Sequence, residues 1–396
     1  MITLLETLIG GAALLLMVPV VVLFVEVLLA VTQRERTSSV AGDHPRVAVL
    51  VPAHDEALII SRTLRTIVPQ MARGDRLVVV ADNCTDDTAA LAATEGAEVL
   101  VRGDLLRRGK GYALDFGIRH LASDAPQIVL IVDADCRVRQ GGIDRLARLS
   151  QRTGRPVQAL YLMQAAEGAS LKMRLAEFAW VIKNQVRPLG LHRLGLPCQL
   201  MGSGMASPWA CINSADLATG HIVEDLKLGI ELARRGTPPL FCPEALVTSE
   251  FPASSEGIRS QRTRWEHGHL SVILNEAPRL FLDSLSRLDG NLLGLALDLT
   301  VPPLALLTLL LIAVWMASCL LFLVAKVLFP IAITSIAAGL LTLSIYLAWA
   351  RYGRHIITIG KLAYAVVYAF LKLPLYAKFL VTRQTAWIRS KRDEED

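Results

Sequence analysis

Long apolar stretches near both ends of the chain constrain its fold more than any other feature. Residues 8–31, interrupted by Pro19 and Glu26, are continuous enough at about 24 residues to cross a bilayer core of roughly 30 Å. Residues 292–324 and 327–350 have the same character, with Lys326 between them. Of the 396 residues, 53% are hydrophobic and 19% charged, whereas a typical soluble domain is about 25% charged. The sequence therefore predicts a membrane protein with three spanning helices.

Basic residues predict the orientation of these helices. Arg34 and Arg36 follow the first stretch, Arg351 and Arg354 follow the third, and further basic residues lie near the C-terminus. All lie on one side of the bilayer if the large middle region is cytoplasmic. The first stretch has no basic residue before it, is longer than the apolar core of a signal peptide and runs directly into polar residues 33–36, so it predicts an uncleaved anchor. We expect a multi-pass protein of the cell inner membrane with a cytoplasmic middle region.

Two other segments, residues 356–381 and 270–288, predict helices at the membrane surface. Residues 356–381 are apolar enough to cross but carry Lys361, Lys372 and Lys378. An interfacial or re-entrant helix is favoured, because lysines on one face can reach water while the apolar face stays among the acyl chains. The predicted domains are an N-terminal transmembrane anchor (1–36), an α/β domain (44–269), an interfacial amphipathic helix (270–291), two transmembrane helices (292–350), and an interfacial or re-entrant helix with a basic cytoplasmic tail (351–396).

The middle region predicts a parallel sheet. Between residues 46 and 149, short apolar runs alternate with helical stretches, which is typical of βαβ units. Strands are expected at residues 47–51, 77–80, 98–101 and 128–132. Acidic segments follow three of them, at residues 52–56, 82–86 and 133–135. Ligands of open α/β sheets bind beyond the carboxyl ends of the strands, so these segments are the candidate site.

Two short motifs suggest how a charged ligand is held. Asp133 and Asp135 directly follow a buried strand, and two carboxylates suit Mg²⁺ or Mn²⁺ when a diphosphate supplies further ligands. A surface turn is the alternative. Lys110 lies in a Gly-Lys-Gly sequence that is not a P-loop, because no Ser or Thr follows the lysine. We expect a phosphate contact near a helix N-terminus there, with an ordinary helix start as the alternative.

Composition also bounds the partners and the compartment. The net charge of +5 is too small to argue for nucleic acid and is better suited to a membrane surface. The six cysteines include no C-x-x-C pair, so neither a disulfide framework nor a zinc site is indicated. A reduced, cytosol-facing domain is the simpler interpretation.

Five motifs occur in a fixed order along the middle region. They are VPAHDE (residues 51–56), ADNCTDDT (81–88), DAD (133–135), ED (224–225) and QRTRW (261–265). This ordered set, with its flanking apolar helices, resembles the membrane-integrated family 2 glycosyltransferases, which include cellulose, chitin and hyaluronan synthases and ceramide glucosyltransferases. The resemblance covers residues 46–269. It implies an α/β fold, with a GT-A (Rossmann-like) cytosolic domain joined to an α-helical transmembrane region.

The resemblance also implies a role for each motif residue. Ala53 and Glu56 would lie near the nucleoside, Asp82 would hydrogen-bond the uracil, Lys110 would meet a phosphate, Asp133 and Asp135 would hold the diphosphate and a Mg²⁺ or Mn²⁺ ion, Asp225 would be the general base, and Gln261, Arg264 and Trp265 would close over the diphosphate and the acceptor sugar. These residue types suit an inverting transfer. Such a transfer needs a base on the acceptor hydroxyl and cations around the leaving diphosphate.

Some motif residues have plainer interpretations, and others depart from the family pattern. Glu224 and Asp225 could simply stabilise the start of a helix over residues 226–235, and Trp265 could be a packing residue at a membrane interface. Val223 replaces the Thr of the family's T-E-D motif, and residues 83–84 are Asn-Cys where many relatives have Asp-Gly-Ser. These departures affect specificity more than mechanism. Residues 202–204, Gly-Ser-Gly, are either an acceptor loop or an ordinary turn.

The sequence therefore predicts an inverting, metal-dependent enzyme that moves a sugar from a nucleotide sugar, a UDP-sugar in the simplest case. The acceptor would be a polysaccharide or a lipid-linked molecule at the cytoplasmic membrane face, in exopolysaccharide or cell-surface glycan synthesis, with polysaccharide-export proteins as further partners. The Q-x-x-R-W motif favours a polymerising enzyme, but three spans are few for a polymer channel, so a single addition stays open. The alternatives are a non-catalytic subunit or scaffold of a polysaccharide synthase complex, and a nucleotidyltransferase, which would not explain Q-x-x-R-W.

Overall fold

The chain folds into two compact units that interleave along the sequence. The computed structural model describes residues 2–32, 42–252 and 255–381, so the basic residues predicted to flank the first span and to form the tail lie outside the described residues. Of the described residues, the unit that we call the sheet unit comprises 42–166, 196–252 and 255–268. The helical unit comprises residues 2–32, 167–195 and 269–381.

The strands are β1 Val47–Ala53, β2 Arg76–Asp82, β3 Glu98–Arg102, β4 Ile128–Ile131, β5 Arg137–Val138, β6 Val157–Gln164, β7 Met205–Pro208 and β8 Leu240–Glu250. The helices are α1 Ile2–Val31, α2 Ile60–Ile67, α3 Thr88–Thr94, α4 Lys110–Leu121, α5 Gly142–Thr153, α6 Leu171–Val181, α7 Arg187–Arg193, α8 Trp209–Asn213, α9 Glu224–Arg234, α10 Ser255–Asn275, α11 Ala277–Arg287, α12 Gly290–Leu299, α13 Leu304–Ala325, α14 Phe329–Ala348, α15 Ile359–Leu362, α16 Ala365–Phe370 and α17 Leu373–Val381. Short π-helical turns follow α6 at Ile182–Val186 and α14 at Trp349–Gly353.

The strands of the described residues form one sheet in the order β3-β2-β1-β4-β7-β6-β8-β5. The strands β3, β2, β1 and β4 are mutually parallel. The strand β7 runs antiparallel to both of its neighbours, β4 and β6. The four strands predicted from the sequence are confirmed. The unbroken apolar runs of β1, β2 and β4 reflect burial on both faces of a parallel sheet, whereas β3, at the edge of the sheet, is exposed or half-buried.

Helices on one face of the sheet place two helix N-termini near the strand ends. Leu114 and Ile118 of α4 and Leu228 and Leu232 of α9 share one buried core with residues of β1, β2 and β4. Because α4 begins at Lys110 and α9 begins at Glu224, this packing brings both charged side chains toward the carboxyl ends of the central strands. The core thus positions the candidate site.

The helical unit contains the apolar helices. Four of its described segments are long and apolar enough to cross a membrane, Ile2–Val31, Leu304–Ala325, Phe329–Gly353 and Ile359–Val381, which indicates membrane association. The stretch predicted as one span over residues 292–324 is divided into α12 and α13 around Pro302 and Pro303, because proline disfavours helix at the residue before it. The segment predicted as one amphipathic helix over residues 270–288 is also divided. Here α10 ends at Asn275 and α11 begins at Ala277, with Pro278 in its first turn. The segment over residues 359–381 consists of three short helices, and its interfacial position stays a prediction.

A buried ion triad ties together three helices of this unit. The guanidinium of Arg187 in α7 donates from Nε to Glu26 Oε2 of α1 at 2.9 Å. From Nη2 it donates to Asp298 in α12, at 2.5 Å to Oδ1 and 2.6 Å to the carbonyl oxygen. The three side chains are at most 5% exposed. A charged residue in an apolar span is therefore accommodated by a paired partner rather than by water.

Candidate active site

The turn after β4 holds the two predicted metal ligands. The backbone N–H of Asp133 donates to Ser203 Oγ at 3.1 Å. The hydroxyl of Thr63 donates to the carbonyl of Ala134 at 2.7 Å. These bonds fix the backbone on both sides of the turn, so the carboxylates of Asp133 and Asp135 extend from a rigid support.

This turn fits a divalent metal. Oxygens of Asp133 and Asp135 and the sulfur of Cys136 lie within 4.8 Å of one another. Burial raises the pKa of Cys136 well above its ordinary value, and the two neighbouring carboxylates raise it further, so the sulfur stays a thiol and is a poor ligand. The two carboxylates remain as hard oxygen donors, which suits Mg²⁺ or Mn²⁺ with other positions left for a ligand's own oxygens.

The predicted phosphate-binding lysine lies against this turn. Lys110 Nζ is 2.5 Å from Asp133 Oδ1 and 3.9 Å from Glu224 Oε1. It also donates to the carbonyl of Gly202 at 2.6 Å. Burial alone would lower the pKa of Lys110, but the carboxylates of Asp133 and Glu224 raise it above its ordinary value. The ammonium is therefore a permanent charge at neutral pH.

Gly202 lies where three predicted site residues converge. Its φ of +93° suits glycine. A Cβ built on it would be 3.3 Å from Asp225 Oδ2, 3.7 Å from Lys110 Nζ and 3.9 Å from Asp133 Oδ2. The turn after β4, the start of α4 and the start of α9 thus meet around one glycine. The Gly-Ser-Gly segment belongs to this cluster rather than to a remote turn.

The acidic pair Glu224 and Asp225 lies at the start of α9 and also beside the predicted metal ligands, so the helix-start and active-site interpretations are compatible. Glu224 and Asp225 form the first turn of the helix, where acidic side chains are electrostatically favoured. Burial raises the pKa of Glu224 to about 7, with Lys110 opposing and Asp225 adding to the rise. The pair therefore carries less than two full negative charges near neutral pH.

The Q-x-x-R-W motif lies on α10. Gln261, Arg264, Trp265 and Gly268 follow each other at helical spacings that place them on one face. A Cβ on Gly268 would be 2.5 Å from Val223 Cγ1. This face of α10 therefore packs against the residue that precedes the acidic pair. Sequence reasoning missed Gly268, although its position seven residues after Gln261 was a usable signal.

The predicted nucleoside residues lie in two loops that are tied together. Ala53 ends β1, and the backbone N–H of Glu56 donates to Thr88 Oγ1 at 2.7 Å. Asp55 Oδ1 accepts from the Thr85 N–H at 2.6 Å. The loop after β1 is thus anchored to the loop after β2.

Asp82, at the end of β2, has a partner that the sequence did not reveal. Parallel register places it beside Arg102 of β3, and Arg102 Nη1 donates to Asp82 Oδ1 at 2.5 Å. Burial raises the pKa of Asp82, while Arg102 lowers it. The register of two strands cannot be read from either strand alone, so this pair was not predictable.

A family model described as "Glycosyltransferase like family 2" matches residues 44–268. The chain belongs to this family. Residues 44–268 form its family 2 domain, and they include every candidate site residue described above. The mixed α/β GT-A fold expected from the resemblance is confirmed.

Two curated relatives carry glycosyltransferase names. The probable glycosyltransferase YdaM of Bacillus subtilis is 25% identical over 250 residues, covering 60% of this chain and 58% of that protein. A 4,4'-diaponeurosporenoate glycosyltransferase of Staphylococcus aureus is 25% identical over 250 residues, covering 60% of this chain and 64% of that protein. The match thus spans less than two thirds of the length of these two relatives.

A solved structure resembles most of the chain. The mannosyltransferase PcManGT from Pyrobaculum calidifontis, solved in complex with GDP-Man and Mn²⁺, superposes with a TM-score of 0.54 and 17% identity. The match covers 94% of this chain and 97% of that one. At this identity the likeness shows the fold alone.

Proposed function

We propose that this chain is an inverting, metal-dependent glycosyltransferase that moves a sugar from a UDP-sugar to a polysaccharide or lipid-linked acceptor. The convergence of Lys110, Asp133 and Asp225 around Gly202 carries this proposal. The support is that a cation, a predicted metal ligand and a candidate base lie within one cluster of the family 2 domain.

The donor binds along the carboxyl ends of the parallel strands. Asp82, Ala53 and Glu56 lie at the nucleoside end, and Asp133 and Asp135 lie at the diphosphate end. A bound Mg²⁺ or Mn²⁺ would neutralise charge on the departing diphosphate. Lys110, held charged by its acidic neighbours, adds a second positive charge at the same place.

The acceptor is activated by Asp225. In one displacement the acceptor oxygen bonds to the anomeric carbon while the bond to the diphosphate breaks on the opposite face, which inverts the configuration. The proton of the acceptor hydroxyl passes to the carboxylate of Asp225. The face of α10 with Gln261, Arg264 and Trp265 closes the site, with Arg264 toward the diphosphate and the Trp265 ring toward the acceptor sugar.

Transfer takes place at the cytoplasmic face of the cell inner membrane, with the apolar helices as a multi-pass anchor. The four apolar helical segments support this location. The product would enter exopolysaccharide or cell-surface glycan synthesis. Polysaccharide-export proteins as partners stay a prediction of the sequence.

Nucleotide release from the detergent-purified full chain tests the proposal. UDP-, GDP- and dTDP-sugars are supplied with Mg²⁺, with Mn²⁺ or with EDTA, in the presence of membrane lipids. We expect release of one nucleotide that stops with EDTA and in Asp133→Asn. Asp216→Asn, which changes an exposed acid, is the matched control and keeps activity. Release that persists with EDTA and in Asp133→Asn contradicts the metal-dependent mechanism.

A further inference from the structure

The carboxylate of Asp82 has one oxygen engaged and one available. Oδ1 accepts two hydrogen bonds, from Arg102 Nη1 at 2.5 Å and from Asn83 Nδ2 at 3.0 Å. No side-chain or backbone donor among residues 2–32, 42–252 and 255–381 bonds to Oδ2, and Oδ2 reaches solvent. A carboxylate oxygen accepts about two hydrogen bonds, so Oδ1 is saturated and Oδ2 is the acceptor left for a ligand.

Arg102, the first donor to Asp82 Oδ1, is itself held in place. Arg102 Nη2 donates to the Arg107 carbonyl at 2.8 Å and to Asp104 Oδ2 at 3.2 Å. The guanidinium also lies 5.7 Å from the centroid of the Tyr112 ring. Its side chain is 10% exposed. The planar guanidinium of Arg102 is therefore fixed by several contacts, and we expect it to keep its position when a ligand binds.

Asn83, the second donor to Asp82 Oδ1, is also held in place by hydrogen bonds. Its backbone takes a φ of +54°, and its N–H donates to the Arg102 carbonyl at 2.7 Å. Its side-chain oxygen accepts from the Asp104 N–H at 2.8 Å, while its amide donates to Asp82. Asn83 is one of the residues at which the motif departs from the Asp-Gly-Ser of many relatives. Here the asparagine helps to saturate one oxygen of the neighbouring aspartate.

We infer that Arg102, assisted by Asn83, selects the base of the donor nucleotide by leaving Asp82 a single acceptor oxygen that fits the imide N–H of uracil or thymine. This inference rests on the proposed function, which places the nucleoside at Asp82. Guanine presents two adjacent donors, N1–H and the N2 amino group, which pair best with a carboxylate that has both oxygens open. Cytosine presents an acceptor at N3, which would face the carboxylate with no proton between them. Each mismatch leaves a buried polar group poorly paired, and that is the strongest source of discrimination between ligands.

Equilibrium binding to the detergent-purified full chain with Mn²⁺ tests this inference, using UDP, dTDP, CDP and GDP in titration calorimetry. We expect UDP and dTDP to bind at least about tenfold more tightly than GDP and CDP. Arg102→Met frees Oδ1, so the ratio of UDP to GDP affinity should fall by about tenfold. Arg102→Lys keeps a donor and a charge and should restore part of the ratio.

The matched control lies at the other end of the same two strands. Arg76 pairs with Glu98 at 2.9 Å, and Arg76→Met removes an arginine–acid pair between β2 and β3 without touching Asp82. It should leave the ratio unchanged. If Arg102→Met does not fold, Asn83→Gly keeps the left-handed backbone and removes the second donor to Oδ1, and it should lower the same ratio.

Two results overturn the inference. One is wild-type protein that binds GDP as tightly as UDP. The other is an Arg102→Met protein in which all four affinities fall by the same factor, because that is the signature of a purely structural residue. If the wild-type protein transfers sugar from a GDP-sugar as well as from a UDP-sugar, the inference about base selection is contradicted but the proposed function is not. Absence of binding by every nucleotide contradicts the proposed function, and the inference falls with it.

Discussion

Lys110 Nζ and Asp133 Oδ1 lie 2.5 Å apart in a pair shielded from solvent, with side chains 18% and 27% exposed. The ammonium compensates the carboxylate of a predicted metal ligand, and it also lies beside Gly202 and the acidic pair of α9. One residue therefore links the predicted metal, phosphate and base positions.

Replacing Lys110 should damage donor binding and stability together. Lys110→Met leaves Asp133 as an uncompensated, largely buried charge, a situation that costs about 3–5 kcal/mol in fully buried pairs and less here. We expect the affinity for UDP with Mn²⁺, measured by calorimetry, to fall at least about tenfold. Lys172→Met, which changes an exposed lysine, is the control. Unchanged UDP affinity in Lys110→Met would remove Lys110 from the site.

The contact between α10 and Val223 predicts a steric rescue. Gly268→Ala places a methyl group against Val223 and should displace the face of α10 that carries Arg264 and Trp265, lowering transfer by about tenfold or more. Val223→Ala removes the clashing methyl groups, so the double variant should recover most of the lost rate. A glycine-to-alanine change within a helix otherwise stabilises by about 1 kcal/mol. Full activity of Gly268→Ala alone would contradict the close contact.

The ion triad of the helical unit should respond very differently to single and triple replacement. Arg187→Met removes the guanidinium that the buried carboxylates of Glu26 and Asp298 share, at a cost of about 3–5 kcal/mol. We expect a clear drop in Tm in detergent, whereas Arg193→Met, at an exposed position, should have little effect. Combining Arg187→Met with Glu26→Leu and Asp298→Leu should restore much of the loss. A triple variant less stable than Arg187→Met would refute this account.

His44 predicts a pH-dependent contribution to the stability of the sheet unit. Its Nδ1 lies 2.8 Å from Asp144 Oδ1, and its Nε2 lies 2.9 Å from Asp75 Oδ2. Burial lowers the pKa of His44, but the bonds to the two carboxylates outweigh burial and raise it above its ordinary value. The stabilisation is therefore complete below the ordinary pKa of about 6.5 and is lost as the pH rises through the higher folded-state pKa.

The matching measurement compares the Tm of wild type with that of His44→Gln across this range. The difference should be largest near about pH 6 and smaller near about pH 9. A difference that grows with pH would show that the imidazole is not protonated in the folded protein.

The parts of the fold that were predictable from sequence have local causes. The strand over residues 128–131 was visible because a fully buried parallel strand must be apolar throughout. Asp133 and Asp135 could be placed at the strand end for the same reason. The acidic start of α9 and its end near Gly236 followed from helix-capping preferences.

The parts that escaped prediction depend on partners distant in sequence. Arg102 meets Asp82 only through the register of β2 and β3, and Ser203 meets the Asp133 backbone only because β7 pairs with β4. From sequence, Glu26 only interrupts an apolar stretch, because its partner Arg187 is 161 residues away along the chain. The break between α12 and α13, in contrast, had a local signal, the consecutive prolines at 302 and 303. The prediction of one span over residues 292–324 gave more weight to the length and apolarity of the stretch than to these prolines.

Asp225 is the proposed acceptor of the proton that the acceptor hydroxyl loses during transfer. The most direct test measures Asp225→Asn for UDP-sugar binding by calorimetry and for sugar transfer from a radiolabelled donor into membrane lipid or glycan. Because a general base contributes about 10²–10⁴-fold, transfer should fall by at least about 100-fold. Donor affinity should stay within about threefold of wild type. Transfer at the wild-type rate in Asp225→Asn would contradict the account.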